Sequence, residues 1–217
     1  MGAATLSGKV DLADSRELSV SKQKDYSGIV VWLEPQGQPA PIAKAANFTM
    51  VQKNKRFMPH VLVIPVGSSV DFPNSDPIFH NAFSNFSGQP FDTGLYRPGT
   101  SQKVRFRREG VVRVFCNIHS NMSAVIIVLN TPYFAKTGKD GSFKLESVAP
   151  GDYKLRVWHE RAAQKTLDAL EQKIAIDADR KLPPLRISES GYLEVQHKNK
   201  QGQDYPPAGR TYTGAPK

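Results

Sequence analysis

The segment CNIHSNM, Cys116 to Met122, carries the only cysteine of the 217-residue chain, with His119 three positions on and Met122 six positions on. A thiolate, an imidazole and a thioether are ligand types that a soft transition metal selects, and a mononuclear copper site built for electron transfer combines two imidazoles, one thiolate and a long axial thioether. The second imidazole must come from elsewhere in the chain. His80, in VDFPNSDPIFHNAFS, supplies it: it follows a loop and opens a strand-like run 36 residues before Cys116. Each residue alone has an ordinary explanation. A lone cysteine is a small buried apolar group, a lone methionine fills core, and a lone histidine is a satisfied structural residue. The conjunction at these offsets is what points to copper. A single cysteine also excludes an internal disulfide, zinc fingers, binuclear centres bridged by two thiolates, and CxxC redox pairs.

The elements that must position these side chains are legible from alternation. In VVRVFC, Val112, Val114 and Cys116 share one face of a strand that begins after the Gly110 turn, so the thiol points into a core. The chain then returns as SAVIIVL, Ser123 to Leu129, which makes NIHSNMS a connecting loop able to fold His119 and Met122 back over the sulfur. Asn81, beside His80, is placed to tie the two ligand-bearing segments by a hydrogen bond. His60, in FMPHVLVI, precedes a strand that could run beside His80 and leaves open a fifth ligand, a replacement for Met122, or a structural role. His159, in RVWHE, reads as a structural strand residue, and His197 falls in the C-terminal tail.

Apolar residues at 39% and charged residues at 23% are ordinary for a globular chain, and 16 glycines with 16 prolines between short Val-, Ile- and Phe-rich runs favour an all-β fold. LSGKVDL and SGIVVWLEP read as strands, followed by the Pro/Gly/Ala-rich crossing QGQPAPIAKAA. FTMVQ, HVLVIPVG, SSVDF, KVRFRREG, VVRVFC and AVIIVL then succeed one another at sandwich spacing. Beyond TPYF, the Asp140–Gly141 turn signal, FKL and YKLRVW form a second antiparallel unit, with further strands in ALEQKIAID and LPPLRIS and a short helix conceivable in RAAQKTLDAL. Four segments follow from this: 1–44, the first part of an outer sandwich; 45–130, the metal-site domain; 131–190, the rest of the outer sandwich; and 191–217, a basic tail expected to be mobile or draped over the surface. The longest apolar stretch is too short to cross a bilayer, so no stable membrane insertion is expected, and the opening MGAATLS is read as a start placed before a mature domain whose signal has been removed. The net charge of +9, concentrated locally at KNKR, RFRR and HKNK, favours acidic partners. No nucleic-acid module accompanies those runs.

The stretch from IPVG and SSVDFPNSD through PIFHNAFS to YRPGTSQKVRFRREGVVRVFCNIHSNM and AVIIV resembles the cupredoxins, in particular their amicyanin and plastocyanin branch, over roughly residues 45 to 130. That resemblance implies a Greek-key β-sandwich holding one copper ion per chain as Cu(I)/Cu(II), with His80, Cys116, His119 and Met122 as ligands. The flanking pieces, SGKV with GIVVWLEP and KTGKDGSFKLESVAPGDYKLRVWHE, look like the two ends of a carboxypeptidase-regulatory-like, transthyretin-type sandwich into which the copper domain is inserted. The whole order is similar to that of periplasmic chains labelled methylamine-utilisation-like. Periplasmic location follows as an expectation.

A closed four-ligand site with no general acid or base beside it suits a one-electron shuttle, with His119 as the exit, Ile118 and Asn121 on the docking rim, and an acidic redox protein such as a cytochrome or a dehydrogenase as partner. The alternative is a copper-binding protein for storage or delivery that uses the same residues. An enzyme fits less well, because a multicopper oxidase needs many more histidines than the five present, and a cysteine hydrolase needs a base better placed than His119.

Overall fold

The strand Gly110–Phe115 alternates as its sequence requires, with Val112 and Val114 turned into a core and Val111, Arg113 and Phe115 left partly exposed. It pairs antiparallel with Ser123–Leu129, which runs parallel to Val61–Pro65 on its other side. Two short strands, Phe83–Ser84 and Phe91–Asp92, complete this sheet of five beyond Phe115. A second sheet sets Ser69–Pro73 between Asn47–Thr49, parallel, and Ser101–Arg105, antiparallel. Together these describe one of two compact units in a computed structural model covering residues 2–37, 41–85, 88–193 and 196–205.

That unit comprises Lys44–Leu129 and Val195–Lys217. Its core is fed by both sheets: Val70 and Phe72 from one, Ile64, Val112, Val114, Ala124, Ile126 and Val128 from the other, with Met50, Phe57 and Phe106 added from the segments that join them. Cys116 and Met122 belong to the same apolar cluster, so the segment that bears the chemistry is anchored in the core rather than hung from a surface loop. Burying side chains of this size stabilises by about 1.5 to 3 kcal/mol each, which gives the loop a rigid floor.

The other unit, Met1–Ala43 with Asn130–Glu194, is built on two four-stranded sheets. In one, Ala4–Ala13 pairs antiparallel with Ser142–Val148 and parallel with Arg180–Lys181 and Leu185–Ser188. In the other, Val30–Pro35 lies between Phe134–Lys136 and Gly151–Trp158, and Gln172–Ile176 follows on the outside. The turn into Ser142–Val148 depends on Gly141. Its φ is +76°, and a Cβ there would lie 2.1 Å from the Val10 carbonyl oxygen.

The protein is therefore nearly all-β, as its composition and short apolar runs imply. A helix does occur in the expected stretch, at Gln164–Asp168, and a four-residue turn of helix at Leu18–Ser21 was not anticipated. The run PIFHNAFS, read as a strand opening at His80, is extended only in part: His80 makes an isolated bridge to Tyr96, and the strand proper is Phe83–Ser84. Residues 196–205, expected to be mobile or draped, are held by hydrogen bonds to the unit that carries Cys116, while 206–217 lie outside the described residues. Among the described residues no helix is long and apolar enough to cross a membrane.

Candidate metal centre

Cys116 stands one residue past the end of Gly110–Phe115 and is fully buried. Two backbone bonds fold the following loop into a compact turn: the Cys116 N–H donates to the Met122 carbonyl (3.1 Å), and the Met122 N–H donates to the His119 carbonyl (3.1 Å). Met122 is thereby returned opposite Cys116 with its side chain fully buried, while His119 remains half-buried at the rim. His80 arrives from the other segment, fixed by paired backbone bonds with Tyr96 (3.3 and 2.9 Å), and is fully buried. Asn74 secures the loop before it through its side-chain amide, which donates to the Ile78 carbonyl (2.8 Å).

The three groups converge. Cys116 Sγ lies 3.8 Å from His80 Nδ1 and 3.6 Å from His119 Nδ1, and the donor atoms of the triad all fall within 4.8 Å of one another. The His80 and His119 rings sit with centroids 4.8 Å apart. Donors bound to a single first-row ion at about 2.0 to 2.3 Å stand about 3 to 4 Å from each other, so this spacing accepts one ion with little movement. The mixed N₂S set, with a buried thioether on the same loop, suits a soft or borderline metal and not a hard one.

The tautomer of His80 is decided by Asp76. Its Oδ2 is 2.8 Å from His80 Nε2, and its two oxygens also accept the backbone N–H groups of Asn54 (2.6 Å) and Lys55 (2.8 Å). Burial pushes the Asp76 carboxyl up, but the N–H donors from Lys55, His80 and Asn54 outweigh it and hold the group below its ordinary value. An ionised carboxylate only accepts, so Nε2 carries the proton and Nδ1 turns its lone pair toward the sulfur. At Cys116 burial raises the thiol's pKa, opposed by the backbone N–H groups of Asn81, Ile118 and His119. At His119 burial, with the charges of His80 and Lys55, pushes the imidazole down to about 4 against the pull of Asp76. His119 therefore offers a neutral nitrogen, and the sulfur releases its proton only to something that replaces it.

Asn81 makes the tie that its place beside His80 suggested: its Oδ1 accepts the Asn117 N–H (2.7 Å), and its amide donates to Asp92 (3.2 Å). His60 is not in the triad. It is exposed, with Nδ1 3.1 Å from the Ser123 carbonyl. His159 pairs with Glu189 (2.7 Å) in the other unit. Asp76 was missed in the sequence because an acid before proline in a loop reads as a turn former, although its position four residues before His80 was the available signal. His197, Lys200 and Tyr205 were missed as well, since nothing in a polar tail announces a docking site.

The sequence matches no family model and no curated protein. Solved structures do match. The chain is similar to cupredoxins. A copper-containing nitrite reductase from Thermus scotoductus is 28% identical over 44% of this chain, with a TM-score of 0.37, and the chain spans only 25% of that enzyme's length. A purple cupredoxin from Nitrosopumilus maritimus is 26% identical over 39% of this chain and 99% of its own, with a TM-score of 0.35. An oxidised amicyanin variant is 14% identical over 46% of this chain and 98% of its own, with a TM-score of 0.37.

Proposed function

We propose that the protein is a periplasmic type 1 copper protein that carries single electrons between redox partners, with His80, Cys116, His119 and Met122 as the ligands of one ion. The observation that carries this reading is the convergence of two imidazole nitrogens at 3.8 and 3.6 Å on a buried, unpaired thiol sulfur. Copper bound there would supply a one-electron couple whose two oxidation states tolerate one shared geometry.

The chain's own residues account for the rest. Cys116 and Met122 are sealed in the core, and His119 alone of the four reaches the rim, so exchange with a partner proceeds through the imidazole edge and not by admitting a substrate. Ile78, Phe79 and Leu95, exposed large apolar residues next to His80 and its bridge partner Tyr96, supply a contact surface. Lys53, Lys55 and Arg56 on the neighbouring hairpin are exposed, and the Lys55 charge is felt at His119, which suits an acidic redox protein as partner. The closed arrangement, with His80 and Cys116 fully buried and only His119 half-exposed, favours a carrier over an enzyme.

Voltammetry of the copper-loaded protein tests this reading. A reversible one-electron wave, with copper retained in both states against a chelator, is the expected result. Rapid loss of one oxidation state to the chelator would instead indicate delivery, and no wave at all would end the carrier reading.

A further inference from the structure

Strand alternation leaves Phe115 on the outer face of the strand that ends at Cys116, and that face does not stay bare. His197 stacks on it, with centroids 4.2 Å apart and planes 22° apart. The Tyr205 hydroxyl donates to the Cys116 carbonyl at 2.6 Å and lies 3.2 Å from His197 Nδ1. Between these anchors the chain forms a turn of its own around Asn199. The Asn199 N–H donates to the Gln203 carbonyl (2.9 Å), and its side-chain oxygen accepts from the N–H groups of Gln201 (3.0 Å) and Gln203 (2.9 Å).

Lys200, at the tip of that turn, closes a ring of polar contacts. Its N–H donates to Asn117 Oδ1 (2.9 Å) and its ammonium to Asp92 Oδ2 (2.7 Å). Asp92 Oδ1 accepts from the Asn81 amide (3.2 Å), and Asn81 Oδ1 accepts the Asn117 N–H (2.7 Å). Asn81 is adjacent to His80 and Asn117 to Cys116, so one turn of chain from far along the sequence grips both ligand-bearing segments at once. A free tail would lose considerable conformational entropy on taking up this geometry, and three directed contacts to the rest of the unit, with an aromatic stack, offset that loss.

We infer that residues 196–205 are a strap that holds the Cys116–Met122 loop in its metal-ready form, and that Tyr205 is the positioning residue for Cys116. The inference rests on the reading of Cys116 and His80 as ligands. The strap touches neither ligand side chain. It acts through the Cys116 carbonyl, the Phe115 ring and the Asn117 amide, fixing the backbone from which the sulfur projects. Its loosening would leave the core in place and free only the loop.

Two full-length variants test this, Tyr205→Phe, which removes only the hydroxyl, and Tyr205→Phe combined with His197→Ala. In the metal-free protein, amide hydrogen exchange at Asn117 to Asn121 is expected to quicken about fivefold to tenfold in the single variant, the effect of one lost hydrogen bond, and further in the double variant. The amides of Val125 to Val128 should be unchanged. In the copper(II)-loaded protein the sulfur-to-metal absorption band should shift, which a merely structural contact would not produce, while the unfolding midpoint falls by no more than one lost hydrogen bond accounts for. Loop exchange in both variants equal to that of the parent would overturn the strap. Should the double variant lose protection throughout, Tyr205→Phe alone decides. The exchange measurement needs no metal, so a parent that failed to bind copper would sink the proposed function and still leave the strap to be judged.

Discussion

At the scale of single residues, the site is a problem of proton placement solved by neighbours. Asp76 accepts three N–H groups, one of them from His80, and this leaves His80 Nδ1 as a lone pair directed at the Cys116 sulfur. Replacing Asp76 by Asn keeps an acceptor and removes a buried negative charge beside the proposed copper site, whose oxidised form would be the more positive. Asp76→Asn is therefore expected to raise the reduction potential by about 60 mV or more, a tenfold shift in the one-electron equilibrium; voltammetry showing an unchanged or lowered potential would contradict this. Asn81→Ala strands the Asn117 N–H, and about 1 to 3 kcal/mol of stability should be lost, read by denaturant unfolding. Cys116 and His119 were legible because their relation is local: an offset of three on a loop leaves few geometries. His80 was legible by type, as the imidazole that such a site still needed. Asp76, Lys200 and Tyr205 were not, because their meaning exists only after distant segments meet.

At the scale of elements, alternation gave the strands that are long enough to show it. Val112, Val114 and Cys116 lie on one buried face, and Phe143, Leu145 and Val148 are buried in the other unit. Two-residue strands such as Phe83–Ser84 and Arg180–Lys181 carry no period to read, since pairing and not pattern creates them. The Asp140–Gly141 turn was legible by its chemistry, and the structure shows why glycine is needed at 141. Gly141→Ala must place a side chain at positive φ and against the Val10 carbonyl, so a loss of at least about 1 to 3 kcal/mol is expected from the backbone strain before the clash is counted. Calorimetry checks it, and a thermal midpoint equal to the parent's would show that the turn can rearrange.

For the whole molecule, the charge is divided unevenly. Residues 1–43 with 130–194 hold 15 basic and 15 acidic side chains, whereas 44–129 with 195–217 hold 14 and 5, so the full +9 belongs to the unit with the candidate metal centre. Total composition could announce a basic protein but not where the charge resides. Oxidation of the reduced protein by the anion hexacyanoferrate(III) should slow several-fold between about 0.01 and 0.15 M salt, as the Debye length falls from about 30 to 8 Å; a rate indifferent to salt would contradict electrostatic steering. The neutral unit carries its own acid sensitivity. Burial, with the Arg161 charge, lowers the pKa of His159 against the pull of Glu189, and hydrogen bonds from Arg161, Ser15 and His159 outweigh burial to lower that of Glu189. Both groups bind protons more weakly folded than unfolded, so stability falls with pH, through His159 from about 6.5 downward and through Glu189 only below 4.5. His159→Gln should flatten the decline of the thermal midpoint between about pH 6.5 and 5, and a curve parallel to the parent's would show that His159 does not drive it.

The central claim, that Cys116 binds copper together with His80 and His119, is tested most directly by adding Cu(II) to the metal-free protein and recording its visible spectrum beside that of Cys116→Ser. The account predicts an intense sulfur-to-copper band that saturates at one equivalent in the parent and is missing from the variant. A colourless parent, or a band that survives the loss of Cys116, would contradict it.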